Sequence, residues 1–288
     1  MNILVTGAKG QLGQDLVEEL VRRGHTPIGV DVEEMDITDE ASVKSKIAEV
    51  SPDAVIHCAA WTAVDAAEDA EHLDKVRAVN ALGTSYIAQV CGERDIPLMY
   101  ISTDYVFDGE GERPWEPEDV RHPLSVYGQT KYEGELAVEQ LKKHFIVRIA
   151  WVFGTKGKNF VRTMLHLGKT RDRLTVVCDQ IGSPTFTEDL SVLLSDMIVT
   201  DRYGKYHATN EGYCSWYEFA CEIFRQASAY DPHYAEVAVS PVDSSAYPAK
   251  AKRPMNSRMN KDKLEENGFS RLPLWQDALA RFLSKTEV

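Results

Sequence analysis

Short apolar runs alternate with longer stretches of helical periodicity over the first half of the chain. Between the first two runs, Leu12, Leu16 and Leu20 recur at the spacing of one helix face. Strands that are apolar throughout are typical of a parallel sheet covered by helices on both faces. The pattern therefore predicts the α/β class with a doubly wound parallel sheet. The predicted strands are Ile3–Val5, Pro27–Val30, Ala54–Cys58, Leu98–Ser102 and Phe145–Ile149.

After Ala150 the pattern loosens, and glycine, proline and aromatic residues become denser around residues 179–185 and 241–254. Four helices are predicted in this half, at Phe160–Gly168, Glu188–Val199, Trp216–Ala227 and Leu274–Leu283. We therefore expect a first domain over residues 1–150 and a smaller C-terminal lobe over residues 151–288. Some segments of the lobe are expected to return to the first domain.

Charge and cysteine content narrow the function classes. The 288 residues carry a formal net charge of −13, from 45 acidic and 32 basic residues. Such a surface repels polyanions, so nucleic acid is not expected as a partner. Five dispersed cysteines without a C-x-x-C pair favour reduced thiols and a cytoplasmic setting. The sequence shows neither a leader pattern nor an apolar run of membrane-spanning length, so a soluble protein is expected.

A glycine-rich turn lies between the first predicted strand and the first helix. Gly7, Gly10 and Gly13 have the spacing G-x-x-G-x-x-G, with Gln11 and Leu12 between the last two. Glycines at this point allow a tight turn and let backbone amides approach a pyrophosphate at the positive end of a helix. The turn therefore predicts a Rossmann-like first domain that binds NAD(P).

Asp31 follows the second predicted strand, where an acidic side chain can accept hydrogen bonds from the adenosine ribose. Its charge would repel a 2′-phosphate, which favours NADH. Lys9, Arg22 and Arg23 are near enough in sequence to admit a phosphate. The sequence therefore leaves both NADH and NADPH open as the cofactor.

Two further segments are candidates for cofactor contact. Asp36 and Ile37 are expected to meet the adenine, although Asp36 could equally cap the following helix. Ala60, Trp61 and Thr62 follow the carboxyl end of the third predicted strand, the side of a parallel sheet where ligands bind.

The candidate chemistry is concentrated in Tyr127 and Lys131, which are four residues apart and so share one helix face. A lysine ammonium beside a phenol favours the phenolate and tunes the tyrosine for proton transfer. The hydroxyl of Thr103 could complete a site that holds a carbonyl oxygen. These groups suit hydride transfer between a nicotinamide and a carbonyl.

Motifs along most of the chain are similar to those of the extended short-chain dehydrogenase/reductase family, in particular to its reductases of nucleotide-linked keto sugars. They are the glycine turn, residues 58–60, 63–68, 79–84, 102–109, 123–131, 179–185 and 253–257. The resemblance implies reduction of the C4 ketone of dTDP-4-dehydro-6-deoxy-L-mannose to dTDP-L-rhamnose with NADPH or NADH. It also implies that Tyr127 is the proton donor, that Lys131 binds the nicotinamide ribose, and that Thr103 bonds the reacting oxygen.

The resemblance extends to the substrate and to the assembly. It implies that Thr103, Asp104 and Trp151 contact the sugar, whereas Trp61 departs from the side chains usual at its position. Arg253 could grip the substrate pyrophosphate, since a guanidinium binds such oxygens bidentately, or it could be a surface arginine. Some members dimerise through an acidic magnesium site. Asp15 and Glu188 fall near it without a third ligand, so no metal is predicted, and a homodimer stays open.

Three alternatives remain at this stage. A 4,6-dehydratase is disfavoured because Thr103-Asp104 is followed by Tyr105, which cannot act as a carboxylate base. A 4-epimerase would keep its NAD and consume none. A non-catalytic protein, similar to the regulatory subunit of methionine adenosyltransferase, would have no physical need for Tyr127, Lys131 and Thr103 together.

Overall fold

The computed structural model describes residues 1–287, so that Val288, the last residue of the predicted lobe, lies outside the described residues. The strands are β1 Asn2–Thr6, β2 Thr26–Val30, β3 Ala54–His57, β4 Leu98–Thr103, β5 His144–Ile149, β6 Val152–Phe153, β7 Arg173–Val177, β8 Ile181–Gly182, β9 Thr185–Phe186, β10 Gly204–His207, β11 Cys214–Ser215 and β12 Ala238–Val242. The helices are α1 Gln11–Arg22, α2 Glu40–Val50, α3 Leu73–Arg77, α4 Thr84–Glu93, α5 Val126–Val138, α6 Phe160–Gly168, α7 Thr187–Ile198, α8 Trp216–Ala227, α9 Asp262–Glu266 and α10 Trp275–Ser284.

Six parallel strands form the central sheet, in the order β10-β5-β4-β3-β1-β2. The predicted α/β class with a doubly wound parallel sheet is confirmed. Strands β3 and β4 are buried along their whole length, which explains why they are apolar runs rather than alternating patterns. Each of the five predicted strands is present and differs from its prediction by a residue or two at the ends.

The sixth strand comes from the second half of the chain. Strand β10 pairs with β5 at the edge of the sheet, and its sequence, Gly-Lys-Tyr-His, has no apolar run that could predict it. Helix α7 packs against α1 and adds Leu190 and Leu194 to the same core as Ile3 and Val5. The central sheet and its apolar core therefore include β10 and α7, which both follow residue 150.

A second apolar cluster contains only residues after position 150. It joins α6, α8 and α10, with Phe153, Phe219 and Phe282 at its centre. Helices α6 and α8 have the bounds predicted from sequence, because each has a side-chain cap at its start. Asn159 accepts a hydrogen bond from Arg162 N at 3.1 Å, and Ser215 accepts one from Glu218 N at 3.1 Å. The division of the chain at residue 150 stays a prediction.

The strand order reverses between β1 and β3, because the chain moves to one side of β1 for β2 and to the other for β3. In open α/β sheets, ligands bind outside the carboxyl ends of the strands at such a reversal. The loops that follow β1, β3, β4 and β5 meet there. Within residues 1–287, none of the helices combines the length and apolar character that crossing a membrane requires.

Candidate active site

A cavity of about 830 Å³ opens at the carboxyl ends of the central strands. Most of the residues predicted from sequence to bind cofactor or substrate line it. They are Gly7, Gly10, Gln11, Leu12, Gly13, Asp31, Asp36, Ile37, Ala60, Thr62, Thr103, Asp104, Tyr127, Lys131 and Trp151. Residues from six separate stretches of sequence are thus brought to one site.

The glycine turn after β1 has no room for a side chain at Gly7 or Gly13. Gly7 has a φ of +66°, and a Cβ there would lie 2.8 Å from the backbone of Ala59. A Cβ on Gly13 would lie 2.2 Å from the carbonyl oxygen of Gly7. The turn therefore packs tightly against the first turn of α1, whose free amides face the cavity as an anion site. This cradle fits the pyrophosphate of a dinucleotide.

Gln11 closes the cradle from the side of the second half of the chain. Its Nε2 donates to Lys158 O at 3.1 Å, and its Oε1 accepts from Asn159 Nδ2 at 3.0 Å. Gln11 therefore joins the start of α1 to the loop before α6, a connection that no sequence pattern predicts.

Asp31 lies at the end of β2, where the ribose side of the cavity is expected. Its carboxylate accepts hydrogen bonds from Lys9 N at 3.2 Å and from Val32 N at 3.0 Å. The Lys9 ammonium pairs instead with Glu33 at 2.5 Å. The other two candidate cations also have acidic partners, since Arg22 and Arg23 both bond Glu19. Each of the three cations that could admit a 2′-phosphate is therefore already paired with a carboxylate.

Asp36 and Ile37 line the cavity beyond Asp31. Helix α2 begins only at Glu40 and is capped by Asp39, which accepts from Ala41 N at 3.0 Å. The alternative that Asp36 caps this helix is therefore wrong. Asp36 instead accepts from Thr38 N and Thr38 Oγ1, and these bonds hold its pKa below the ordinary value.

The loop after β3 is held by Asn80, which lies in a π-helical turn between α3 and α4. Asn80 Oδ1 accepts from Trp61 N at 2.8 Å, and its Nδ2 donates to Trp61 O and to Thr130 Oγ1, both at 3.2 Å. Asn80 therefore joins its helical segment to the loop at the end of β3 and to α5. Ala60 and Thr62 face the cavity, whereas the Trp61 ring packs beside His72, outside the lining residues.

Helix α5 presents Tyr127 and Lys131 to the cavity. Ser125 caps the helix by accepting from Gly128 N at 3.1 Å, which fixes where the first turn begins. Tyr127 lies edge-on to the Tyr105 ring at 5.4 Å between centroids. Lys131 Nζ donates to Ile101 O at 2.7 Å and lies 4.1 Å from the centroid of the Tyr100 ring. Strand β4 thus anchors the lysine.

Burial dominates the titration of both side chains. It raises the pKa of Tyr127 to about 12, with an interaction of the Thr103 hydroxyl acting in the opposite direction. It lowers the pKa of Lys131 to about 7, although Glu135 favours the ammonium. Burial, rather than the neighbouring Lys131 ammonium expected to favour the phenolate, therefore sets the direction of the Tyr127 pKa shift. Tyr127 is a protonated phenol at neutral pH, the form that a proton donor requires.

Thr103 and Asp104 form a short polar chain at the end of β4. Thr103 Oγ1 donates to Asp104 Oδ1 at 3.0 Å, and Ser257 Oγ donates to Asp104 Oδ2 at 2.5 Å. Ser257 belongs to a late segment of the chain, so this carboxylate joins the two halves of the cavity. Burial raises the pKa of Asp104 to about 6, while the bonds from Ser257 and Thr103 oppose that shift.

Replacing Asp104 with asparagine is expected to stabilise the protein above pH 6 but not below pH 4. Folding raises the pKa of this carboxyl from 3.8 to about 6. The folded protein therefore loses stability as the pH rises through that window, by up to about 3 kcal/mol. Asp104→Asn carries no such charge. Urea unfolding of both proteins from pH 4 to pH 8 measures the difference, with Asp53→Asn as the control. A difference independent of pH would contradict the raised pKa.

Several lining residues are not predicted as site residues from sequence, among them Gln180, Trp216 and Ser257 of the second half of the chain. Gln180 and Ser257 lie within motifs that carry the family resemblance, which indicates their neighbourhood but not their roles. Trp216 opens α8 and stacks on Trp151, with ring centroids 3.7 Å apart. No sequence pattern distinguishes Trp216 from an apolar residue at a helix start.

Arg253 lies beside the cavity rather than in its lining. Its Nη2 donates to Asp65 at 2.7 Å, and its side chain is 38% exposed. The ion pair holds the late segment of the chain against the residues that follow β3. Binding of a pyrophosphate by Arg253 stays a prediction.

The acidic positions considered for magnesium have other partners. Asp15 accepts from Thr187 Oγ1 at 2.5 Å, and Glu188 pairs with Lys285 at 2.5 Å. Over residues 1–287, no group of three or more His, Cys, Asp or Glu side chains is placed to hold a metal ion.

The chain is similar to known proteins over nearly its whole length. The sequence profile described as the RmlD substrate binding domain matches residues 1–288. A dTDP-4-dehydrorhamnose reductase of Aggregatibacter actinomycetemcomitans is 39% identical over 99% of both chains. The crystal structure of a dTDP-4-dehydrorhamnose reductase from Clostridium acetobutylicum has a TM-score of 0.93 and 41% identity, over 99% of both chains. That of the Bacillus anthracis reductase, in complex with NADP, has a TM-score of 0.92 and 40% identity at the same coverage.

Proposed function

We propose that this chain, which belongs to the family of dTDP-4-dehydrorhamnose reductases, reduces the C4 ketone of dTDP-4-dehydro-6-deoxy-L-mannose to dTDP-L-rhamnose. The chain is an NAD(P)H-dependent oxidoreductase. One observation carries the proposal: Tyr127, Lys131 and Thr103 line the same cavity as the glycine turn that fits a dinucleotide pyrophosphate.

The residues that would bind the successive parts of the cofactor lie along the carboxyl edge of the central sheet. The amides of the glycine turn and of the start of α1 would hold the pyrophosphate, and Asp31 would accept hydrogen bonds from the adenosine ribose. Lys131 would bind the nicotinamide ribose through its Nζ, which β4 holds by a hydrogen bond to Ile101 O. When bound, the reduced nicotinamide supplies the hydride to C4.

The chain's own residues would supply the proton and hold the ketone. Tyr127 would donate its phenolic proton to the C4 oxygen as negative charge develops there, which its protonated state at neutral pH allows. In the structure the Thr103 hydroxyl donates to Asp104. We propose that it turns from Asp104 to the ketone when substrate binds, so that Thr103 and Tyr127 share the reacting oxygen.

A substrate panel tests the reaction. Purified protein should oxidise NADPH or NADH when given dTDP-4-dehydro-6-deoxy-L-mannose, with slower turnover of UDP- and GDP-linked keto sugars. An epimerase would interconvert nucleotide sugars without net consumption of cofactor. No turnover together with tight binding of a partner enzyme would favour the regulatory-subunit alternative.

Cofactor choice is expected to follow the charge at the end of β2. Replacing Asp31 with asparagine keeps an oxygen that can accept from Lys9 N but removes the charge that repels a 2′-phosphate. We expect kcat/KM with NADPH, relative to NADH, to rise by about tenfold, the equivalent of 1.4 kcal/mol. Steady-state kinetics with both cofactors measure this ratio.

Asp53→Asn is the matched control for this change. Asp53 lies at the opposite end of the sheet, where it accepts from Asn2 N at 2.7 Å. It removes the same charge far from the cavity, so its cofactor ratio should equal that of the wild type. Equal ratios for Asp31→Asn and wild type would remove Asp31 from cofactor choice.

A further inference from the structure

Two tryptophans form a stacked pair in the wall of the cavity. The indoles of Trp151 and Trp216 are 3.7 Å apart between centroids, with their planes 15° apart, and both line the cavity. Trp151 lies just after the end of β5 in the central sheet, and Trp216 opens α8. Both indoles also pack against the second apolar cluster, so the stack lies between the end of β5 and that cluster.

Trp151 is held in a strained backbone conformation. Its φ is +50°, in the left-handed region that residues with a Cβ disfavour. Such a conformation persists when the surroundings hold it, and it is common at binding sites. Gly182 lies so close to the indole that a Cβ there would be 2.9 Å from Trp151 Cε2. Thr185 N also donates to Trp151 O at 3.1 Å.

Trp216 is itself firmly placed. Ser215 and Glu218 form a capping box, in which Glu218 N donates to Ser215 Oγ at 3.1 Å and Ser215 N donates to Glu218 Oε2 at 2.7 Å. The ring of Phe160 packs on Trp216 with centroids 4.6 Å apart. A fixed helix start and a second aromatic ring thus support the side of the indole pair that belongs to α8.

We infer that Trp216 is a positioning residue, which holds Trp151 in its strained conformation so that the Trp151 indole forms an apolar wall for the sugar of the substrate. The identity of that sugar rests on the proposed function. A 6-deoxy hexose suits such a wall, because its methyl group and ring C–H bonds pack on an aromatic surface. Trp216 acts through Trp151 and selects for substrate, not for cofactor.

A double-mutant cycle tests this relation. Trp216→Leu should raise the KM for the keto sugar by about 3- to 10-fold, the value of an aromatic pair, while the Kd of the cofactor stays unchanged. In a Trp151→Leu background, Trp216→Leu should have no further effect on KM, because its effect passes through Trp151. If the two substitutions instead raise KM independently, so that their effects multiply in the double variant, Trp216 contacts the substrate itself and the inference is overturned.

Two variants separate positioning from general stability. Trp216→Phe keeps a stacking ring and should restore KM to near the wild-type value. Trp275→Leu makes the same truncation at a buried tryptophan of the second apolar cluster, outside the cavity lining, and should leave KM unchanged. A KM for Trp275→Leu as high as that for Trp216→Leu would count against a specific role.

A crystal structure of Trp216→Leu without substrate gives a readout that does not depend on turnover. We expect residue 151 to leave positive φ or its ring to rotate out of the stacked position. An unchanged Trp151 would overturn the inference even if the proposed reaction holds. If Trp151 moves in the variant and the wild-type protein fails to reduce the keto sugar, the positioning role is supported and the proposed function is rejected.

Discussion

Tyr127→Phe should lower kcat by about two to four orders of magnitude, the usual contribution of a positioned general acid. The phenyl ring keeps its contact with Tyr105, and the cofactor cradle is formed by other residues. Cofactor affinity and stability should therefore stay close to those of the wild type. Stopped-flow measurement of NADPH oxidation and a fluorescence titration of bound cofactor measure the two quantities separately.

Tyr132→Phe is the matched control on the same helix. Tyr132 lies one residue beyond Lys131, and its ring packs under the Arg121 guanidinium outside the cavity lining. It should turn over at the wild-type rate. A kcat for Tyr127→Phe within threefold of wild type would mean that water or another group donates the proton, and the assignment of Tyr127 would fail.

Glu135→Ala should destabilise the protein by about 3–5 kcal/mol, because it leaves a buried guanidinium without its partner. Arg148 and Glu135 are both completely buried, and Arg148 Nε and Nη2 each donate to the carboxylate at 2.8 Å. Ser102 Oγ donates to the same carboxylate at 2.6 Å, and Arg121 Nη1 at 2.8 Å. The loss is a large part of the roughly 5–15 kcal/mol that stabilises a typical folded protein.

The charge on Glu135 is secure at neutral pH. Burial alone would raise the pKa of this carboxyl, but Arg148, Ser102 and Arg121 together hold it below its ordinary value. Since Ser102 precedes Thr103 at the end of β4, the same network anchors the strand that carries Thr103, the proposed contact of the reacting oxygen. We therefore expect Glu135→Ala to lower kcat as well as the free energy of unfolding.

Urea unfolding measures the loss, and two variants control it. Glu139→Ala removes a partly exposed carboxylate directly after the end of α5 that also pairs with Arg121, and it should cost less than about 1 kcal/mol. Adding Arg148→Met to Glu135→Ala should recover part of the stability, since the unpaired charge is gone. If Glu135→Ala alone is as stable as the wild type, the buried pair contributes nothing to the free energy of unfolding.

The elements most reliably predicted from sequence were those with a strong local cause. Helices α6 and α8 have the predicted bounds because Asn159 and Ser215 cap them. Strand β4 was predictable because it is buried along its whole length, so that its first four residues form an apolar run. Strand β10 was missed, because at the edge of the sheet it needs no apolar run, and its pairing with β5 is set by distant contacts.

The same distinction applies to the site. The glycine turn and the pair of Tyr127 and Lys131 are short-range patterns, and the structure brings them to one cavity. The partners of Arg253 and Asp104 come from segments far away in the chain, at Asp65 and Ser257. No spacing rule connects such segments, so the sequence could name Arg253 but could not place its guanidinium on an acidic partner.

By itself, the sequence determined the α/β class, and it singled out the glycine turn and the pair of Tyr127 and Lys131 as candidates, because local periodicity and short motifs encode them. Only the tertiary structure decided the protonation of these groups, since burial raises the pKa of Tyr127 and lowers that of Lys131 against the expectation from their spacing. It also decided that Trp216 meets Trp151 in the cavity wall. Burial and long-range packing depend on contacts between separate segments of the chain, which no local pattern records.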